Sequence, residues 1–207
     1  MFFLKYIIML IFEVENENFA MNDKKENILS ASIELLVSKG LHAITVAEIA
    51  AKSKVGIGTF YKHFKDKEDL VQQIWIWQKK AEADFIFKDY SAKNLSVREQ
   101  YFILWERVVR YFVEHPTEFY FSYQFASSNI LIDEINNVAM ERFLVFDELY
   151  EEGLKQNLFK PLKAHHLRLF TFSTINGWIL WAKDEQIPLT KETIQLFLQM
   201  SWDSIKI

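Results

Sequence analysis

The 207-residue sequence has no cysteine, only three prolines and only five glycines. Without cysteine there is no disulfide framework, no thiol nucleophile and no thiolate metal site, which suits a reducing, cytoplasmic setting. With so few prolines and glycines the chain has little punctuation, and long helices with few turns are expected. Long apolar runs are scarce as well. The run at residues 1–12 is followed at once by Glu13, Glu15 and Glu17, and it is too short for a membrane span of about 20 residues. It also fits a secretory signal poorly, because a positive n-region is nearly missing and no small-residue cleavage site follows. The expectation is that Met21 is the natural start and that residues 1–21 form an extra segment, disordered or non-native. The alternative is a membrane anchor or partner-binding arm.

Catalytic constellations are missing too. His165 and His166 are adjacent and point to different faces of a helix, and no His-x-x-x-His pair occurs. Serines, histidines and acids are present but form no recognisable catalytic motif. No metal or cofactor is expected, and an enzyme remains only a remote alternative.

Half of the residues are hydrophobic, enough to bury a substantial core. The net charge of −4 hides an asymmetry. Residues 22–67 carry eight lysines against five acids, whereas Glu68 onward carries fifteen basic against twenty acidic side chains. A mildly basic head on an acidic body fits contact with phosphates at one end, although differences of this size also arise on solvated surfaces.

Residues 45–64 organise the rest. Thr45 with Glu48 three residues on makes a capping box, and Val46, Ile49 and Ala50 then share one helical face. The pattern breaks at Lys52–Gly56 and resumes with Phe60 and Phe64 four apart, leaving Thr59, Tyr61, Lys62 and His63 to point elsewhere. Two helices this short need outside support. Short helix, tight turn and short helix with spare polar and basic side chains is the layout of a DNA-reading head.

Together, Gly40, Thr45, Ile49, Ala50, Val55, Gly58, Tyr61, Phe64, Lys67 and Leu70 resemble the signature of the tetracycline-repressor (TetR) family of transcription regulators over about residues 25–72. Two positions depart from that pattern. Lys54 stands at the turn where the family usually has glycine, so a left-handed backbone is expected there. Gly56 replaces the usual small polar cap, a weaker choice by a few tenths of a kcal/mol. The resemblance implies an all-α fold: a three-helix helix-turn-helix DNA-binding domain at 22–67, then a ligand-binding and dimerisation domain at 68–207, about nine helices in all. It also implies that Thr45, Tyr61, Lys62 and Lys67 contact the DNA backbone. Ile57, Thr59 and His63 would lie near base edges, with Gly56 and Gly58 allowing close approach of the main chain.

The supporting elements follow in order. A helix from Asp23 to about Lys39 shows Ile28, Ala31, Leu35 and Leu36 at helical spacing, and Gly40 supplies its stop. Lys24 and Lys25 at its start oppose the helix dipole and suit either phosphate contact or plain solvation. Asp66 caps a helix to about Phe87, with Leu70, Ile74, Trp77 and Ala81 as its inner stripe. Ser96 and Glu99 form a second capping box, opening a helix to about Glu114 with Tyr101, Phe102, Trp105, Val108, Val109 and Phe112 inward. Pro116 ends it and starts another, Thr117 to about Ser127. A single long helix is expected from about Ile130 to Gln156, closed by Asn157.

The last pair, about 165–183 and 190–205, is apolar on more than one face. A helix apolar all round must be buried all round, so either these helices pack within one subunit or they form a two-fold dimer through a four-helix bundle. Ser173 and Gly177 would let another helix approach closely. Twenty-five of the 33 aromatics and all six tryptophans lie in residues 68–207, which indicates either a densely packed core or an apolar cavity. Candidate lining residues are Trp77, Phe102, Trp105, Phe112, Phe121, Tyr123, Phe125, Phe143 and Trp178. The expected partners are double-stranded palindromic operator DNA, a second copy of the chain and a small hydrophobic effector, with no membrane. The expected function is a ligand-responsive repressor, and the competing class is a helical small-molecule-binding or scaffold protein with no DNA-linked role.

Overall fold

The computed structural model describes residues 23–207, so the expectations for residues 1–21 lie outside the described residues. Helices account for nearly all regular structure: α1 (23–39), α2 (Val46–Lys52), α3 (Ile57–His63), α4 (Lys67–Ile86), α5 (Val97–Glu114), α6 (Pro116–Phe125), α7 (Asp133–Met140), α8 (Leu144–Lys155), α9 (Ala164–Asp184) and α10 (Lys191–Ile205). The chain divides into two compact units. One runs to Trp75 and takes in Ser127–Ile130; the other comprises Ile76–Ala126 and Leu131–Ile207. α4 begins in the first and ends in the second, and its 20 residues span about 30 Å at 1.5 Å per residue.

In the first unit, Ile28, Leu29, Ile33 and Leu36 of α1 are buried with Ile49, Ala50, Phe60 and Phe64. The rings of Phe60 and Phe64 lie 5.3 Å apart, and closing off each contributes about 1.5–3 kcal/mol. Two seven-residue helices are held in this way by what flanks them. Gly40 ends α1 at a φ of 76°, and Leu70, Val71 and Ile74 extend the same interior along α4. The turn after α6 joins this unit through a 2.8 Å hydrogen bond from Gln72 Nε2 to the Ile130 carbonyl.

In the second unit, α5 packs against α6, α8, α9 and α10. Its buried face includes Tyr101, Trp105, Val108, Val109 and Phe112, as the periodicity predicts, together with Leu104, while the expected Phe102 is only half-buried. The polar atoms of Trp105, Tyr150 and Tyr101 inside this core are bonded. Trp105 Nε1 donates to the Tyr150 hydroxyl at 3.0 Å, Tyr150 to Thr171 Oγ1 at 2.7 Å, and Tyr101 to Ser201 Oγ at 3.0 Å. Burial accordingly pushes the Tyr101 hydroxyl up to about 12. Phe159 closes the far end by a bridge to Lys206, its ring lying where a Cβ on Gly153 would sit.

Two expectations change here. The helix expected over 130–156 is broken into α7, a 3-10 turn at Glu141–Phe143 and α8. Val138 and Leu144 are exposed while Phe143 and Phe146 are buried, so the apolar positions keep no single stripe across the junction. Asn157 does close the segment, at a φ of 54°. The second change is on α4, where Leu70 and Ile74 are buried as expected but the inner stripe does not continue through Trp77 and Ala81. Trp77 is half-buried and Ala81 exposed, whereas Trp75, Gln78, Lys79, Glu82, Ala83 and Ile86 are inside. Polar side chains at 78, 79 and 82 disguised that face in the sequence.

Candidate nucleic-acid interface and ligand cleft

α2 starts from a complete capping box: Thr45 Oγ1 accepts from Glu48 N–H at 3.2 Å, and Glu48 Oε2 accepts from Thr45 N–H at 2.8 Å. Lys39 adds a 2.7 Å ion pair to Glu48. That hydrogen bond from Lys39, followed by those from the Thr45 backbone and hydroxyl, lowers the Glu48 carboxyl to about 2. The turn to α3 passes through Lys54 at a φ of 56°, the strained conformation expected of it. Lys54 N–H and Val55 N–H donate back to Ala51 and Ala50 carbonyls, closing α2 as a left-handed cap does. Gly56 is the N-cap of α3 and makes no side-chain bond there.

α3 therefore buries Phe60 and presents the rest. Ile57 is 51% and Tyr61 58% exposed, Lys62 and both glycines are exposed, and Thr59 is half-exposed. A Cβ at Gly56 or Gly58 would meet nothing within 4 Å, so nothing in the chain requires a bare backbone at the front of this helix. Lys24 and Lys25, from the start of α1, act electrostatically with Lys62 on His63.

Three of the expected contact residues are engaged or partly enclosed within this unit. Lys67 Nζ donates to the Leu41 and Ile44 carbonyls, both at 2.8 Å, so two of its three N–H bonds are committed to the loop before α2. Thr45 spends its hydroxyl on the capping box. His63 is half-buried, with Nε2 closed off from solvent. Desolvation first, and then the charges of Lys25, Lys62 and Lys24, hold its pKa below the ordinary histidine value, which favours neutral imidazole.

In the second unit, a cleft of about 220 Å³ lies between α4, α5 and α6, open on one side and lined by Trp77, Gln78, Ala81, Phe85, Tyr111, His115 and Glu118. Tyr111 and His115 rings lie 4.6 Å apart, with Phe85 against both. Gln78 Nε2 donates to the Glu118 carbonyl at 2.7 Å and to Ser122 Oγ at 2.8 Å, tying α4 to α6. Beside the cleft Lys79 and Glu82 pair at 2.6 Å with side chains only 4% and 2% exposed.

Of the nine aromatic residues expected to line a cavity, Trp77 alone borders this cleft. Trp105, Phe112 and Phe121 are sealed in the core, as are Phe125 and Phe143. Trp178 stacks on Phe197 at 4.3 Å, Phe102 lies against Trp202 beneath the Arg98 guanidinium, and Tyr123 is exposed. Aromatic content marks a body with much to bury without separating wall from filling. The signal in the sequence that bears on the cleft is polar: Gln78 on the inner side of α4, and His115 at the junction with Pro116 that turns α5 into α6.

A capped two-helix reader with one exposed face, followed by an all-helical body, defines a helix-turn-helix transcription regulator. Residues 28–74 match the family model described as bacterial regulatory proteins, tetR family, and residues 96–206 match that of the tetracyclin repressor-like C-terminal domain. The chain belongs to the TetR family. A helix-turn-helix transcriptional regulator of Haemophilus influenzae is 25% identical over 187 residues, covering 90% of this chain and 98% of its own. The crystal structure of a TetR family transcription regulator from Marinobacter aquaeolei superposes with a TM-score of 0.80 at 23% identity, covering 89% of this chain and 96% of that one. FadR from Bacillus subtilis, solved in complex with stearoyl-CoA, gives a TM-score of 0.70 at 19% identity, covering 85% and 96%. These structural likenesses establish the fold. No described helix is long and apolar enough to cross a membrane.

Proposed function

We propose that this regulator is a repressor that binds a palindromic operator as a homodimer and leaves it when a small, largely apolar effector enters the cleft between α4, α5 and α6. The observation that carries the DNA half is the outer face of α3. Ile57, Tyr61 and Lys62 are exposed beside two glycines that the packing does not require, which suits a helix whose main chain lies close to a duplex. Thr59 faces base edges, Lys62 with Lys24 and Lys25 meets phosphates, and Thr45 and Lys67 hold the frame. With Gly56, Ile57 and Gly58 at the front, few side chains can hydrogen-bond to bases, and part of the specificity rests on DNA shape.

The dimer half rests on α9 and α10, where Leu169, Phe170, Trp181, Leu196 and Met200 are each 48–62% exposed in the single chain. An apolar set of this kind calls for a partner, and a two-fold copy of the same pair is the economical one. Two recognition helices would then stand about 34 Å apart, one turn of DNA. On the effector side, α6 forms a cleft wall and leads directly to the turn whose Ile130 carbonyl is bonded by Gln72 of α4. A ligand that displaces α6 therefore acts on a turn fastened to the helix that begins at Lys67. Coupling of about 1–3 kcal/mol would change operator affinity by about 5- to 150-fold.

The test is a salt-dependent mobility shift on a palindromic fragment from the gene's own upstream region. Lys62→Ala should weaken binding to all sequences alike and lower the salt slope by about one per subunit. Absence of sequence-preferring binding under every ligand condition would sink the repressor reading in favour of a helical binding or scaffold protein.

A further inference from the structure

The first turns of α4 grip the two-helix reader at both of its ends. At the entry, Lys67 Nζ donates to the Leu41 and Ile44 carbonyls, 26 and 23 residues back along the chain. At the exit, Asp69 Oδ2 accepts from the Lys65 N–H at 2.7 Å, and Asp69 Oδ1 accepts from Gln73 Nε2 at 2.9 Å. The same Gln73 nitrogen donates at 3.3 Å to the carbonyl of His63, the last residue of α3. Lys67, Asp69 and Gln73 are half-buried, and every one of these bonds lies within the first unit.

The needs of α4 itself do not account for this set. Lys67 has the wrong sign for the first turn of a helix, where the dipole favours acids. Asp69 has the right sign, yet its second oxygen is spent on Gln73, which reaches out to α3. α2 and α3 have seven residues each and little stability of their own, and the burial of Phe60 and Phe64 that retains them is non-directional. Hydrogen bonds add direction, and a recognition surface must be held to within about 0.5 Å to discriminate. Lys67 and Asp69 together bring no net charge, so as a pair they add little to the attraction of phosphates.

We propose that Lys67, Asp69 and Gln73 are positioning residues for sequence reading, which fix the angle of α3 against α4 and confer specificity without contacting the DNA. This rests on the repressor reading above. The opposite charges of Lys67 and Asp69 supply the test. If they acted through charge, Lys67→Met would weaken binding to every sequence and lower the salt slope by about one per subunit, whereas Asp69→Ala would strengthen binding. Positioning moves both the same way. In mobility shifts with the full chain, Lys67→Met, Asp69→Ala and the uncharged change Gln73→Leu should each weaken binding to the palindromic upstream fragment about tenfold. The salt slope and the affinity for a scrambled fragment of equal length should stay as in the native chain, which also reports that the heads are folded. Each variant should lose part of the native preference for the natural half-site spacing over a spacer longer by one base pair. Without DNA, amide hydrogen exchange over residues 41–44 and α3 should quicken in all three variants while that of α5 does not change. Opposite shifts for Lys67→Met and Asp69→Ala, a lower salt slope in Lys67→Met, an undiminished preference for the palindromic fragment, or unchanged exchange would overturn the proposal. A native chain with no preference between the two fragments would sink the repressor reading instead, and the exchange measurement would still decide whether α4 holds the two helices.

Discussion

The two units differ in how they use polar side chains. In the first, those that fix the backbone lie at or near the surface: Thr45 and Glu48 cap α2, Asp66 Oδ1 accepts from the Asp69 N–H at the start of α4, and Lys67 holds two loop carbonyls. The second has surface caps of its own at Ser96 and Thr190, but it also ties polar side chains to one another inside: Lys79 with Glu82, Gln78 with Ser122, and Tyr150 between Trp105 and Thr171. A surface cap is a local device that contributes about 0.5–2 kcal/mol and leaves neighbours intact when it fails. A buried polar group is tied to its partners, because removing one strands the other. The head can therefore be altered piecemeal, while the body responds as a whole.

The largest expected effect follows from that difference. Glu82→Ala leaves the Lys79 ammonium enclosed among the rings of Phe112 and Phe143 and should cost about 3–5 kcal/mol. Replacing both residues by Met and Leu should recover most of that loss, since a buried pair can be exchanged for well-packed apolar groups at little cost. Urea unfolding of the single and double variants measures both. In the head, Lys39→Ala, which breaks the exposed pair to Glu48, should cost under about 1 kcal/mol. Equal losses at Glu82 and Lys39 would erase the contrast between the units.

The helical glycines give the next comparison. Gly153 of α8 has the Phe159 ring against it, so Gly153→Ala forces that ring to move and should destabilise by about 1–3 kcal/mol. Gly58 of α3 has nothing within 4 Å of a Cβ. There Gly58→Ala should leave the fold unchanged or raise stability by up to about 1 kcal/mol, because alanine is the better helix former, yet it should weaken operator binding. A mobility shift run beside thermal unfolding separates the two effects. Full operator affinity in a Gly58→Ala variant would mean that the main chain of α3 does not approach the duplex closely.

The same contrast sets how much was legible beforehand. The head could be read from residues 45–64 because each feature there is local: a cap three residues from its partner, a turn at Lys54, two phenylalanines one helical turn apart. Helix order in the body was also legible, down to the Ser96 cap, the Pro116 junction and the stop at Asn157. Two things were not. The break at Glu141–Phe143 arises where the apolar face changes direction, and a continuous pattern of apolar residues conceals that. The cleft depends on which polar groups are turned inward on α4, and Lys79 and Glu82 look like a solvated pair until their partners on other helices are known. Lys67 and Thr45 show the converse, since a side chain of the right type at the right position can already be committed within its own unit.

The smallest effect concerns Glu48, which ties Lys39 at the end of α1 to the cap of α2. Its carboxyl is lowered from 4.5 to about 2 in the folded chain, so the folded state binds that proton less readily than the unfolded one. Its contribution to stability is then fully present above about pH 4.5 and is lost as pH falls toward 2. The group is fully exposed, and screening by solvent and salt keeps the effect small. Glu48→Gln keeps the shape of the cap and removes the titration. Unfolding midpoints measured between pH 5 and about 2.5 should fall more steeply for the native chain than for Glu48→Gln, and should converge at the acid end. Parallel curves would mean that the capping box and the Lys39 pair do not favour the ionised form, and that the first turn of α2 is held by the packing of Ile49 and Ala50 alone.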